Sequence, residues 1–452
     1  MQRIIASLRD ERGVALVMAL IMLVVLTGLA LAFLSVSAFE PQIAENLASS
    51  AQARMVADGG LEWAFNQLAT VPAGLTQEQY WNNLLAAAAG GATLTGGDIP
   101  LPGLTAASGV FRVTVRNDTQ ANDNQLTGCP TVAGCDGNLL DPGGAATDTN
   151  GRLIVTATST ITGVSGLGNV TKNIVAVMRR PTLPTINAAM SFPGKQADVN
   201  FSGSSFDIQG IDHKIDGTPG TASAVYGITT SGDNAYLGNE ATVENALQNN
   251  QQNQVLGKSE VPPGLPTSGV DAIQADPALT MDEVTAYVNW VKTMADVQID
   301  TAINNKFTAS GIGSSCPADW SSTTCWGTLT DPKIVYVKGT PGVDYVSVDL
   351  SGGSVGTGIL IIENGRFEVT GDFRWNGPII VTGTNVGINY KGGGNQEVFG
   401  AVIVNELNDT GQNNLEGEVK GNAKIYYSKE ALDLVVNRRG RRFMAIYSWR
   451  EQ

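Results

Sequence analysis

Residues Val14 to Phe39 run for 26 positions without a charged side chain. About 20 apolar residues in a helix cross the hydrocarbon core of a bilayer, so this stretch is long enough to span one. The polar segment before it, Met1 to Gly13, carries Arg3, Arg9, Asp10, Glu11 and Arg12. Positive residues on that side predict a cytoplasmic leader and an exported remainder. An ordinary secretory signal has a shorter apolar core followed by a small-residue cleavage site. Here the polar-to-apolar junction falls instead on a glycine, Arg12-Gly13-Val14.

The helix pattern continues beyond the apolar run. After Pro41, residues Gln42 to Leu68 are rich in Ala, Leu, Gln and Glu, and Ile43, Leu47, Ala51, Val56, Leu61, Phe65 and Leu68 recur at near-helical spacing. Gly28 and Pro41 are points where a long helix can bend or open. One helix from Val14 to Leu68 spans about 80 Å at 1.5 Å per residue.

The junction Glu11-Arg12-Gly13-Val14-Ala-Leu-Val-Met18 and the later stretch Ala53-Arg-Met-Val-Ala-Asp58-Gly59-Gly60-Leu61-Glu62 together resemble the N-terminal region of PilX-like minor type IV pilins and the related GspK-type pseudopilins. The resemblance covers about the first 60 residues. It implies cleavage after Gly13 by prepilin peptidase, leaving Val14 as a methylated N-terminus. It also implies a bacterial inner-membrane precursor that passes to the periplasm or a surface pilus. The implied partners are other pilins, the peptidase, the inner-membrane assembly platform and, during biogenesis, the membrane. One departure concerns the fifth mature position, where major pilins place glutamate and this chain has Met18. A lone carboxylate is costly in lipid and needs a partner. A subunit lacking it cannot pair with the terminal amine of a neighbour, which fits a filament tip or a priming role.

Composition narrows what the exported part does. The net charge is −14, whereas a nucleic-acid binder shows a basic face, so no nucleic-acid partner is expected. Four cysteines fall in two close pairs, Cys129/Cys135 and Cys316/Cys325, with a single histidine in the chain. That set does not supply a Cys/His zinc site; two local disulfides in an oxidising compartment are the reading. His213, the only histidine, reads as a turn residue. Asp207, Asp212 and Asp216 could offer oxygen ligands to Ca²⁺ but lack the full Asp-x-Asp-x-Asp-Gly pattern, so no cofactor is expected beyond that weak option. Asp372 with Arg374 imitates a carboxylate–base pair, though two charges on one strand usually form its solvated face. Gly392-Gly-Gly394 lacks the Lys-Ser/Thr of a phosphate loop. An enzyme is not expected.

The fold class expected is α+β, mainly β. After the leader (1–13) and the transmembrane and spine helix (14–70) comes a small pilin-like α/β module (71–180). Thr76-Gln-Glu-Gln79 is a capping box opening a helix through Ala89. Val110–Val115, Leu153–Thr158 and Val170–Val177 alternate as strands of an antiparallel sheet, and Asn117 to Gly151 reads as loop. Arg179-Arg180-Pro181-Thr-Leu-Pro184 marks a boundary. In residues 185–437, Gly358-Ile-Leu-Ile-Ile, Gly377-Pro-Ile-Ile-Val and Gly400-Ala-Val-Ile-Val recur at intervals of 19 and 23 residues. A near-regular period of this size predicts a β-solenoid, a short right-handed parallel β-helix, with an antiparallel β-sandwich as the alternative. Val199–Ile208 and Val225–Thr230 supply earlier rungs. Thr280-Met-Asp-Glu283 caps a helical insertion over about 278–306 that covers an end or flank of the β stack. Residues 438–452 read as a basic tail whose Arg438, Arg439, Arg441 and Arg442 could dock on an acidic partner or cover apolar surface.

Two functions therefore remain from the sequence. The first is a minor pilin or pseudopilin subunit, of a type IV pilus or of a type II secretion pseudopilus. The second is a membrane-tethered surface adhesin or carbohydrate-binding β-helix outside any filament.

Overall fold

In the computed structural model, helix α1 runs unbroken from Gln2 to Ala69, carrying Pro41 inside it. The structure describes residues 2–451, except 73–74, 76, 88–91, 104–108, 121–122, 124–125, 127–140, 142, 163–167, 181–182, 204, 261–262, 302–305, 314–315, 317–323, 392 and 409–414. The chain forms two compact units. The first comprises Met1–Leu68, Asn82–Met178 and Ile446–Gln452; the second comprises Ala69–Trp81 and Arg179–Ala445. Helix α2, Gln77–Ala86, crosses the boundary.

In the first unit, β1 (Ala92–Thr93), β2 (Ile99–Pro100), β3 (Val110–Asn117), β4 (Arg152–Ile161) and β5 (Val170–Arg179) form a sheet in the order β1-β3-β4-β5, with β2 beside β3. The strand Ala445–Glu451 adds to β5 at the far edge. Strands β3 and β4 are antiparallel, with Val113 opposite Ala157. Alternation along β3 points Phe111, Val113 and Val115 inward, all fully buried. They lie under α1, whose Ala53, Val56, Ala57, Leu61, Ala64 and Leu68 are buried at spacings of three and four.

The second unit, apart from its helices, is built of strands of very unequal length, from three residues to 14. It opens with β6 (Ala188–Phe192), β7 (Val199–Ser202), β8 (Asp207–Gln209) and β9 (Tyr226–Ser231). Helix α3 (Gly238–Ala246) precedes β10 (Val255–Glu260), β11 (Pro263–Ser268) and β12 (Ile273–Asp276). Helix α4 (Met281–Val291) leads into β13 (Val297–Asp300), β14 (Phe307–Ser310), β15 (Lys333–Lys338) and β16 (Val346–Ser351). Then follow β17 (Ser354–Glu363), β18 (Arg366–Thr370), β19 (Phe373–Thr384), β20 (Gly387–Lys391), β21 (Asn395–Asn408), β22 (Gly417–Lys420), β23 (Asn422–Tyr427) and α5 (Lys429–Phe443).

Strands alternate between two sheets. One runs β13-β15-β17-β19-β21-β23-β8-β10-β11, the other β14-β16-β18-β20-β22-β7. Pairing within them is parallel, with the β10–β11 hairpin antiparallel. The chain thus passes from one sheet to the other and back, each circuit adding a strand to both. Leu360 lies opposite Ile379 and Ile379 opposite Val402, so the two intervals legible in the sequence are the offsets between successive circuits. The first strands β7 and β8 pair with the late strands β22 and β23.

The apolar runs are continuous rather than alternating because their strands are covered on both faces. Val335, Leu360, Ile362, Ile379, Val381, Val402 and Val404 belong to the interior core. Ile334, Tyr336, Ile359, Ile361, Ile380 and Ile403 point the other way, against Val284, Tyr287, Val288 and Val291 of α4 and Val435 of α5. The long strands β17, β19 and β21 each pass through a glycine, Gly358, Gly377 and Gly400, with φ of 138°, 130° and 146°. A Cβ built on Gly377 would lie 2.1 Å from the Gly358 carbonyl oxygen, and one on Gly400 2.3 Å from that of Gly377. The three glycines are stacked because no side chain fits there.

Two expectations change. The helical insertion ends at Val291, with a 3-10 turn through Met294, and does not reach residue 306; Val297–Asp300 is strand β13. Ala295 and Ile299 fitted a helix face, but Val297 and Ile299 also alternate with exposed Gln298 and Asp300, and parallel pairing to β15 wins. The basic segment 438–452 is not a tail. Arg438, Arg439, Arg441 and Arg442 occupy the last turns of α5, which opens at Ser428 (Oγ accepts from Ala431 N at 3.2 Å), and Ala445–Glu451 is a strand.

Candidate functional site

Helix α1 carries two faces of opposite kind. From Val14 to Phe39 its large apolar side chains are exposed, Val14 by 64%, Met18 by 61% and Phe33 by 71%. This segment is long and apolar enough to cross a membrane. Two of its hydroxyls turn inward: Thr27 donates to the carbonyls of Leu23 (2.7 Å) and Val24 (3.0 Å), and Ser35 to that of Ala32 (2.8 Å). Such back-bonding satisfies these two donors at apolar depth. Gly13 and Val14 lie within this helix, and Met18 is one turn further on, with no carboxylate in its place.

Beyond the apolar run, Ile43, Leu47 and Met55 stay exposed while the opposite side of the helix buries against the sheet. The Gly59-Gly60 pair has a steric reason. A Cβ on Gly60 would stand 2.8 Å from Phe111 Cδ2, and one on Gly59 2.6 Å from Leu101 Cδ2. The helix lies directly on β3 at that point, where the Phe111 ring also meets Trp63 edge-on at 5.7 Å. Ser159 Oγ, on β4, donates to the Ala53 carbonyl at 2.6 Å. The C-terminal strand adds a further tie. Glu451 accepts from Lys172 of β5 at 2.7 Å and lies 3.8 Å from Arg54 of α1, whose guanidinium stands over Trp449. The hydrogen bond from Lys172 holds the Glu451 carboxyl below its ordinary value.

The loop after β3 contains carboxylates that sequence reasoning passed over as loop composition. Asp141 accepts from Gly143 N (2.6 Å), Thr149 N (2.6 Å) and the Thr149 hydroxyl. Asp148 accepts from Gly151 N at 2.7 Å, and Asn150 Nδ2 donates to Asp118 at 2.9 Å. Burial pushes the Asp118 carboxyl up to about 7. The short Asp/Asn spacing was the available signal: these side chains fold the loop onto itself.

The remaining sequence candidates do separate jobs. Cys316 and Cys325 are disulfide-bonded, Cα atoms 4.9 Å apart; Cys129 and Cys135 lie outside the described residues. Asp207 accepts from Tyr426 Oη (2.8 Å) and Gln209 (2.7 Å). Asp212 accepts from Lys429 N and Ala222 N, both at 2.9 Å, and so caps α5. Asp216 accepts from Thr218 in a tight turn. The three are not brought together, and among the described residues no group of three His, Cys, Asp or Glu could hold a metal ion. His213 stacks on Tyr426 at 4.4 Å with Nδ1 2.8 Å from the Ile211 carbonyl. Asp372 accepts from Asn395 N, while Arg374 pairs with Glu397 and covers Phe399, so these two do not converge. The side chains of Arg438, Arg439, Arg441 and Arg442 lie outside the described residues.

No protein-family model matches the chain, and no curated protein matches it. Among solved structures it is similar to the competence-associated pilin ComZ from Thermus thermophilus, at 13% identity, covering 90% of this chain and 98% of that one, with a TM-score of 0.24. A likeness at that score carries no argument on fold or function.

Proposed function

We propose that this chain is a non-enzymatic minor pilin or pseudopilin, a PilX-like subunit of a type IV pilus acting at the tip or in assembly priming. The observation that carries the reading is the division of α1: an exposed apolar segment beginning at Val14, continuous with a half packed on an antiparallel β3–β4 pair. The glycine at the polar–apolar junction, Gly13, then serves as the cleavage residue. Met18 in place of glutamate supports a position with no subunit above it, and the same features suit a type II secretion pseudopilus tip. The partners follow: other pilins, prepilin peptidase and the inner-membrane assembly platform, with the chain passing from the inner membrane to the periplasm or cell surface. We read the second unit as a β-solenoid, supported by its parallel pairing and circuit offsets. Neither a metal nor another cofactor enters this function, and both cysteine pairs are read as oxidised.

The test is co-expression with prepilin peptidase. The chain should shorten by the 13 leader residues and begin at a methylated Val14. An intact Met1 would leave the surface-adhesin alternative, with a plain membrane anchor.

A further inference from the structure

Beyond its apolar run, helix α1 turns a second apolar strip away from the sheet. Ile43, Leu47, Ala51 and Met55 follow one another at intervals of four, and all are exposed, the three large ones by more than half. At about 100° per residue they form one ridge, about 18 Å long, along the helix. The buried positions Ala53, Val56, Ala57, Leu61, Ala64 and Leu68 lie on the other side. Acids bracket the ridge. Glu40 stands just before it, and Asp58 and Glu62 just after it. Glu40 and Asp58 are 18 residues apart, about five whole turns, and so share the side of the ridge. All three acids are exposed, and no ion pair among the described residues takes them up. From Glu40 to Ala69 the helix has four acidic residues, Glu45 being the other, and a single basic one, Arg54. That guanidinium is already turned to Glu451 and Trp449.

We infer that this ridge docks a helix of a different chain, one that flanks its own apolar ridge with Lys or Arg. A ridge at i±4 spacing fits the groove of another helix, and a convex strip offers no cleft to a small ligand. The ridge continues the exposed apolar stretch Val14–Phe39, which is long enough to cross a membrane. A helix rising from the same bilayer can therefore follow α1 from one segment into the next. Charge then selects which helix. A second copy in parallel register sets Glu40, Asp58 and Glu62 against themselves. Laid antiparallel about the ridge, it sets Glu40 against Asp58. A staggered copy brings one cation, Arg54, which Glu451 already engages. Like charges beside an apolar seam oppose pairing, and opposite ones set partner choice. The inference stands on the geometry of α1; that the partner is another pilin rests on the function proposed above.

The probe is the full chain with its brackets reversed, Glu40→Lys, Asp58→Lys and Glu62→Lys together. Energy transfer between labelled full chains, diluted in neutral phosphatidylcholine vesicles, measures pairing. The apolar run is common to every pair, so its contribution cancels. The mixed pair of wild type and probe should associate about tenfold more tightly than either chain with itself. Salt at about 0.5 M should erase that margin. Leu47→Gln with Met55→Gln in the wild-type partner should weaken the mixed pair about tenfold. Unchanged hydrogen exchange at Val113 and Val155 checks that each variant keeps its fold. A second measurement needs no variant: salt should strengthen self-association of the wild type, because screening relieves acid against acid. Wild-type copies pairing as tightly as the mixed pair, a margin that survives salt, a mixed pair indifferent to Leu47 and Met55, or wild-type pairing that salt does not strengthen would overturn the inference. Cleavage by prepilin peptidase is a separate readout: an uncut chain that pairs in this way loses the pilin reading and keeps the ridge.

Discussion

The same substitution, glycine to alanine, should have opposite effects at two places on α1. Alanine is favoured over glycine in a helix by about 1 kcal/mol, so space around each site decides the sign. At Gly28 a Cβ meets nothing within 4 Å, and Gly28→Ala should be neutral or stabilising. At Gly60 the Cβ would sit 2.8 Å from Cδ2 and 3.0 Å from Cγ of Phe111, a ring with no exposed surface and pinned by Trp63. Overpacking of this kind costs about 1–3 kcal/mol, so after the propensity gain Gly60→Ala should destabilise the first unit by up to about 2 kcal/mol. Gly59→Ala should fall between, since its obstacle is the mobile end of Leu101. Native-state hydrogen exchange measures this locally. Amides of Val113 and Val155 should exchange about tenfold faster in Gly60→Ala and at the wild-type rate in Gly28→Ala, with β17 and β19 as internal references. If Gly60→Ala protected those amides as well as wild type, the direct packing of helix on strand argued here would be wrong.

In the second unit, Gly377→Ala should lower stability by about 3 kcal/mol or more in urea unfolding. It combines a positive φ of 130° with a Cβ 2.1 Å from the Gly358 carbonyl oxygen. A midpoint within error of wild type would contradict the glycine stack. Burial, reinforced by Asp198 and Glu406, pushes the Glu416 carboxyl up to about 8 from an ordinary 4.5. The fold therefore favours the protonated form: its contribution is complete below pH about 4.5 and is lost as pH rises through about 8. Glu416→Gln should flatten that part of the stability–pH curve, and an unchanged slope would refute the assignment.

What was legible followed from local pattern. The long apolar N-terminal helix, the Thr280 capping box (Thr280 Oγ1 accepting from Glu283 N at 3.2 Å) and the runs after Gly358, Gly377 and Gly400 needed only periodicity and turn chemistry. What was not legible depended on partners distant in sequence. The strand Ala445–Glu451 reads by itself as an aromatic tail behind four arginines, though Ile446, Tyr447 and Trp449 carry high strand propensity. Only its pairing beside β5 makes it a strand. The same holds for β7 and β8, whose partners β22 and β23 lie more than 200 residues away. At Asp212 the sequence shows a turn carboxylate near a histidine, and the structure uses it to cap a helix beginning at Lys429.

These distant pairings have a consequence for how the first unit is completed. Sheet order β1-β3-β4-β5 ends in a strand whose outer neighbour is the last element of the chain. Loop closure grows only slowly with length, so an insertion running from Arg179 to Ala445 is tolerable at equilibrium provided its two ends emerge side by side, as adjacent strands of one sheet require. Kinetically the cost is larger, because long-range strand pairing is slow. During synthesis β5 has an open edge until residues 445–451 arrive, and open edges invite wrong pairing. Glu451 addresses this directly: it meets Lys172 of β5 and Arg54 of α1 at once, so the closing strand is selected by charge as well as by backbone hydrogen bonds. A chain that stops before Ala445 would therefore leave β5 as an edge and remove the ion pairs that join strand and helix.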